Sequence, residues 1–274
     1  MKIALAQLTS GIDPAANART VAAMIADAKA GGATMLFTPE MSGLIDRDRA
    51  RAARSITDEA SDPVLAAARE AARAHRLWVH LGSLALRRDD GRLANRGFVI
   101  DADGMIRARY DKLHLFDVDL PTGESWRESA AYAPGEHAVA VETPLGLLGL
   151  TICYDLRFPD LYRALSDAGA TVLAIPAAFT RPTGAAHWHV LLRARAIEAG
   201  AFVVAAAQTG VHEDGRATYG HSLVIDPWGE VVLDMGEDAG LGFAEIDPAR
   251  VAEVRMRIPA LDHRRPIPPV EVAR

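Results

Sequence analysis

The chain has 274 residues, half of them hydrophobic and 24% charged, which is enough to bury a sizeable core and excludes a disordered polypeptide. Its 36 acidic against 30 basic side chains give a formal net charge of −6, which argues against a general nucleic-acid binder. One cysteine, Cys153, excludes an intramolecular disulfide framework, and no apolar stretch is long enough to span a bilayer. The opening MKIALAQL enters a strand-like run without the pattern of a signal peptide, so a cytoplasmic protein is expected.

Taken in chain order, Lys2 to Leu8 reads as a buried strand, and Asp13-Pro14 as the N-cap of a helix that stops at Gly31-Gly32. Thr34 to Pro39 is a second strand. Asp62-Pro63 repeats the cap before an alanine-rich helix to about His75, and Leu77 to Leu84 is a third strand. Asn95 to Tyr110 reads as a hairpin turning at Asp101 to Gly104. Leu147 to Ile152 is a strand, and Pro159 opens a helix to about Ala168. Thr171 to Ala177 is a strand, about Ala185 to Ala199 a helix closed by Gly200, and Phe202 to Gln208 a strand. Gly220 to Asp226 and Val231 to Met235 form a hairpin around Pro227-Trp228-Gly229, with a strand from Leu241 to Ile246 beside it. A short helix from Asp247 and a Pro-rich tail follow. Strands alternating with helices and interrupted by hairpins predict an α/β fold with mixed sheets, and no linker or convincing repeat divides residues 1–274, so a single domain is expected.

Three reactive side chains fall at the ends of core-like strands. Glu40 follows TMLFTP, and Cys153 ends LLGLTI. Lys112 closes MIRARYDK, where it shares the less polar face with Ile106, Ala108 and Tyr110. In sheet-based α/β proteins that edge is where sites form. Each residue has a plainer reading: a small buried hydrophobe for the cysteine, a turn residue for the glutamate, a snorkelling chain for the lysine. Together they carry chemistry. A thiol that is mostly protonated at neutral pH needs a base, which a carboxylate raised by apolar surroundings can supply, and an ammonium can stabilise both thiolate and oxyanion. The histidines offer no such chemistry from spacing alone. His187 and His189 point apart on a helix, while His114, His212, His221 and His263 lack ligand spacing, so no metal or other cofactor is expected.

The segments FTPEM, YDKLHLFDVD and ICYDLRFPDLYRAL resemble, in order, the three motifs of the nitrilase or carbon–nitrogen hydrolase superfamily, and the resemblance runs from Ile3 to about Pro266. PTGAAHWHVLLRARAIE and ATYGHSLVIDPWGEV resemble the branch holding deaminated glutathione amidases and ω-amidases, and AAAQTGVHEDGRATYGHS is more like the former. The resemblance implies an α-β-β-α sandwich, a homo-oligomer (a dimer or larger), and a Glu40–Lys112–Cys153 triad that cleaves a small amide through a thioester. It also implies an oxyanion held by Lys112 and the Tyr154 N–H, with support from Glu128 in RESAAYAPG. For the substrate it suggests Arg157, Phe179 and Thr183; the plainer reading of Arg157 pairs it with Asp155 or Asp160. Deaminated glutathione is the expected substrate. An ω-amidase acting on α-ketoglutaramate, an N-carbamoyl or nitrile hydrolase, and a binding-only member are the alternatives.

Overall fold

The computed structural model describes residues 1–119, 123 and 125–273. Its strands are β1 (Lys2–Gln7), β2 (Met35–Phe37), β3 (Trp78–Arg87), β4 (Leu93–Ile100), β5 (Ile106–Asp111), β6 (Asp117–Asp119), β7 (Ser125–Arg127) and β8 (Val139–Thr143). They continue with β9 (Gly146–Leu150), β10 (Val172–Ala174), β11 (Phe202–Ala205), β12 (Thr209–Val211), β13 (Ala217–Tyr219), β14 (Leu223–Ile225), β15 (Val231–Asp234) and β16 (Gly240–Glu245). The helices are α1 (Pro14–Ala30), α2 (Arg49–Ser55), α3 (Pro63–His75), α4 (Pro159–Asp167), α5 (Arg181–Ala199) and α6 (Pro248–Arg257).

Two six-stranded sheets lie face to face, ordered β16-β1-β2-β3-β4-β5 and β15-β14-β11-β10-β9-β8. Helices α1 and α3 cover the first and α4 and α5 the second, which gives the expected four layers. The alternation within β1 shows why: Ile3 and Leu5 enter the core between the sheets, while Ala4 and Ala6 meet Val21, Ile25 and Val64 of the outer helices. The Asp-Pro signatures act as read. Asp13 accepts from the Ala15 N–H, and Asp62 accepts from those of Val64 and Leu65.

The two sheets share one topology, which the sequence hides. β1-β2-β3 run parallel with antiparallel β4 and β5 beyond and β16 on the other flank; β9-β10-β11 run parallel with β14 and β15 beyond and β8 on the other flank. The strand at 240–245 therefore pairs with β1 rather than lying in the sheet of the β14–β15 hairpin. Helix α5 begins at Arg181, four residues before the expected start, because Pro182 is tolerated in its first turn; Thr180 stands at the N-cap position without a side-chain capping bond.

Candidate active site

Glu40, Lys112 and Cys153 leave the ends of β2, β5 and β9, and all three are buried. The Lys112 Nζ donates to Glu40 Oε1 at 2.9 Å and to Glu128 Oε2 at 2.9 Å. Cys153 is buried beside them, near enough for the Glu40 and Lys112 charges to act on its thiol. Three further donors fix the carboxylates. Asn95 Nδ2 donates to Glu40 at 2.9 Å and to Glu128 at 3.1 Å; the Ala178 N–H, beyond β10, donates to Glu40 Oε2 at 3.0 Å; and the Phe116 N–H donates to Glu128 at 2.7 Å. Glu128 is thus tied to the triad.

The electrostatics differ from the expectation of a base with a raised pKa. Burial pushes the Glu40 carboxyl up, but the Lys112 ammonium and hydrogen bonds from Cys153, Lys112 and Asn95 outweigh it and hold the group below its ordinary value. Burial and the Glu40 charge push the Cys153 thiol well up, with Lys112 opposing. Burial would lower the Lys112 ammonium, yet the two glutamates raise it well above its ordinary value. The resting site therefore sets a protonated thiol beside the Glu40 carboxylate and the Lys112 ammonium. Moving the thiol proton to Glu40 leaves the buried net charge unchanged, so that step adds no further net charge to the desolvated site.

Cys153 sits on a strained elbow. It has φ +50 and opens the 3-10 turn Cys153–Arg157 between β9 and α4. Its own N–H is spent on the Pro176 carbonyl at 2.9 Å. The Tyr154 N–H has no acceptor among the described residues and can turn toward a developing oxyanion. Asp155 holds the elbow. Oδ2 accepts from the Ile152 N–H at 2.9 Å and the Tyr110 hydroxyl at 2.7 Å, and Oδ1 accepts from the His114 N–H at 3.0 Å. From behind, the Arg195 guanidinium on α5 donates to the Leu156 carbonyl at 2.9 and 3.1 Å. Opposite, Gln208 Nε2 donates to the Glu40 carbonyl at 3.0 Å and joins the two sheets at the site.

Asp155 does not pair with Arg157, and Asp160 faces Arg163 instead, so Arg157 has no carboxylate partner among the described residues. Its guanidinium lies over the rings of Tyr154 and Phe179, 5.9 and 5.7 Å from their centroids, with His187 Nδ1 at 3.3 Å. Phe179 is buried against Trp188. The Thr183 hydroxyl bonds Thr180 at 2.8 Å, within the first turn of α5. Folding also joins what spacing kept apart. Asp234 bridges His189 Nε2 at 3.0 Å and His221 Nδ1 at 2.9 Å, an arrangement built from α5 and the β14–β15 hairpin. Sequence reasoning missed Asn95, Asp155, Gln208 and the Ala178 N–H. Each looks like an ordinary polar or small residue until the pairing of β4 with β5 and of β9 with β10 is known.

A carbon–nitrogen hydrolase model matches residues 2–256. The chain belongs to the carbon–nitrogen hydrolase family. The deaminated glutathione amidase of Bos taurus is 42% identical over 269 residues, covering 96% of this chain and 82% of that protein. The crystal structure of the Caenorhabditis elegans NitFhit protein superposes with a TM-score of 0.89 at 42% identity, over 96% of this chain and 65% of that one. A mutant of the amidase from Nesterenkonia sp. AN1, carrying acrylamide joined by Michael addition to its active-site cysteine, has a TM-score of 0.78 at 26% identity, over 94% of this chain and 98% of that one. The mixed α/β sandwich is thus the family's fold, and the Glu–Lys–Cys set is the family's catalytic set. No helix among the described residues is long and apolar enough to cross a membrane.

Proposed function

We propose that this carbon–nitrogen hydrolase cleaves the amide of deaminated glutathione, which is 2-oxoglutarate joined through its distal carboxyl group to cysteinylglycine. The observation that carries the reading is the buried contact of Lys112 with Glu40 and Glu128 beside the Cys153 thiol, in a chain 42% identical to a deaminated glutathione amidase. In this reading Glu40 takes the thiol proton as sulfur attacks the amide carbonyl. The tetrahedral oxyanion meets the Lys112 ammonium and the Tyr154 N–H. Glu40 returns the proton to the departing amine, and the C–N bond breaks to leave a thioester. Water, deprotonated by Glu40, then releases the acid and restores the thiol. Glu128 positions Lys112.

Arg157, without an acidic partner and backed by Tyr154 and Phe179, holds the 2-oxo acid carboxylate, while Thr183 braces the start of α5 behind it. All of residues 1–274 serve as one domain, since both sheets supply the site. Two copies pair through the apolar surface of α5 and the β14–β15 hairpin, where Val190, Ile197, Trp228, Val231 and Val232 are exposed. A cytoplasmic location suits an enzyme that depends on a free thiol.

A substrate panel tests the reading: deaminated glutathione, α-ketoglutaramate, simple amides, nitriles and N-carbamoyl amino acids, each assayed with wild type and Cys153→Ala. Highest kcat/KM on deaminated glutathione, lost in the variant, is expected; preference for another class, or no turnover of any amide, overturns it. Sedimentation of wild type against Ile197→Asp checks the pairing, with a dimer or larger species expected to fall to monomer.

A further inference from the structure

Two buried N–H donors with no acceptor lie together at the edge of the site. Among the described residues Arg216 Nε and Trp126 Nε1 each lack a hydrogen-bond partner, and the Arg216 guanidinium stacks on the Trp126 ring, 4.5 Å from its centroid. Buried donors are almost always satisfied, so a pair left open marks a place for an acceptor. The nearest carboxylate, Asp214, stands 3.8 Å from Arg216 Nε and is already engaged by the Arg47 N–H at 2.8 Å and the Arg216 N–H at 2.8 Å. Arg47 Nε also lies 3.9 Å from Asp214, so this one carboxylate is shared between two guanidinium groups.

This pair is one end of an aromatic rail. Trp126 meets Phe116, Phe116 packs edge-on to Tyr154, and Tyr154 carries Arg157 at the other end. Tyr154 adjoins the nucleophile, so the rail passes Cys153 with a guanidinium at each end. Phe116, which packs on Trp126, donates its N–H to Glu128, and Glu128 and Glu40 share Lys112, so the Arg216 end of the rail adjoins the Glu40–Lys112–Glu128 cluster. Glu40 delivers the proton to the departing amine, so that side is where a leaving group lies.

We propose that Arg216 and Trp126 form a second carboxylate subsite, on the leaving-group side of Cys153, that holds the terminal carboxylate of a dipeptide-like amine. The proposal rests on the amidase reading and deepens it. Arg157 takes the carboxylate of the acyl part, and Arg216 takes that of the part which leaves. A short amide that releases ammonia has nothing to place there. The subsite thus separates deaminated glutathione from α-ketoglutaramate, which the triad alone cannot do.

The test compares kcat/KM on deaminated glutathione with that on its C-terminal carboxamide, for wild type, Arg216→Gln and Arg216→Lys, with turnover of α-ketoglutaramate reporting that each variant has folded. A charge-assisted contact predicts a wild-type preference for the free acid of about 30-fold, collapsing toward parity in Arg216→Gln and partly kept in Arg216→Lys. No wild-type preference, or an undiminished one in Arg216→Gln, overturns the subsite. Should wild type cleave α-ketoglutaramate but neither longer substrate, the deaminated-glutathione reading fails while the subsite remains testable. Glycylglycine and glycylglycinamide are then compared as inhibitors of α-ketoglutaramate turnover. Stronger inhibition by the acid, lost in Arg216→Gln, sustains the subsite, and equal inhibition overturns it. If Arg216→Gln does not fold, the Arg216→Lys ratio and the wild-type acid-to-carboxamide comparison decide in the same way.

Discussion

Tyr110 donates a 2.7 Å hydrogen bond to Asp155, and through it the strand that delivers Lys112 is tied to the turn that delivers Cys153. Both partners are buried, and Asp155 also accepts from Ile152 and His114. Asp155→Asn puts an NH2 group where an acceptor is required, so one N–H faces another. The expected result is a kcat fall of about 100-fold with a smaller change in KM, since a displaced nucleophile costs rate more than binding. Tyr110→Phe removes one of several donors and is expected to lower stability by about 1–2 kcal/mol. Steady-state kinetics and urea unfolding of both variants check this.

Lys112 pairs with two carboxylates at once, buried Glu40 and half-buried Glu128. Lys112→Met strands both and is expected to cost about 3–5 kcal/mol of stability and all measurable turnover. Adding Glu128→Gln removes one stranded charge, so the double variant is expected to regain about 1–3 kcal/mol without regaining activity. A double-mutant cycle by urea denaturation, with circular dichroism confirming that the fold persists, measures both.

The pH dependence follows from the directions of the shifts. The Cys153 thiol is raised above its ordinary 9.0, so the folded state keeps a proton the unfolded chain loses, and stability present below that value falls as pH rises through it. Lys112 adds to the fall once pH passes its ordinary 10.5. Glu40 is lowered from 4.5, so its contribution is present above that value and is lost as pH falls through its folded pKa. Wild type is expected to lose about 1.4 kcal/mol per pH unit above the ordinary thiol value from this group, and Cys153→Ala is expected to lack that slope. The ultraviolet absorbance of thiolate, wild type minus variant, is expected to be absent at neutral pH.

Much of this site was legible in the chain. Glu40 and Cys153 each follow an apolar run that marks a buried strand, and Lys112 ends an alternating one that marks a half-buried strand, a signal that backbone periodicity carries locally. What stayed hidden depends on which strands become neighbours. Asn95 reaches both glutamates because β4 pairs with β5, and Ala178 reaches Glu40 only because the two sheets face each other. The placement of β16 beside β1 has the same cause, as does the shared topology of the sheets, whose sequences satisfy one hydrophobic pattern with different residues. Burial and the Glu40 charge raise Cys153, while the Lys112 charge and hydrogen bonds lower Glu40 against its burial, a balance that no single residue reveals.

Gly82 in β3 allows the Glu40 loop to sit close. A Cβ there would lie 2.1 Å from the Thr38 carbonyl and 2.6 Å from Pro176 Cβ, the first just before Glu40 and the second on the segment that anchors Cys153. Gly82→Ala is therefore expected to cost about 1–3 kcal/mol by overpacking and to lower kcat at least tenfold. Thermal unfolding and kinetics together check it, and unchanged values for both would show the loop to be free to retreat.

The direct measurement is the mass of the enzyme caught in the act. Wild type is mixed with deaminated glutathione, quenched in acid during turnover and digested. The expected result is a 2-oxoglutaryl thioester on the peptide carrying Cys153, absent from Cys153→Ala, which also fails to turn over. An unmodified Cys153 peptide together with full activity in Cys153→Ala would contradict the account.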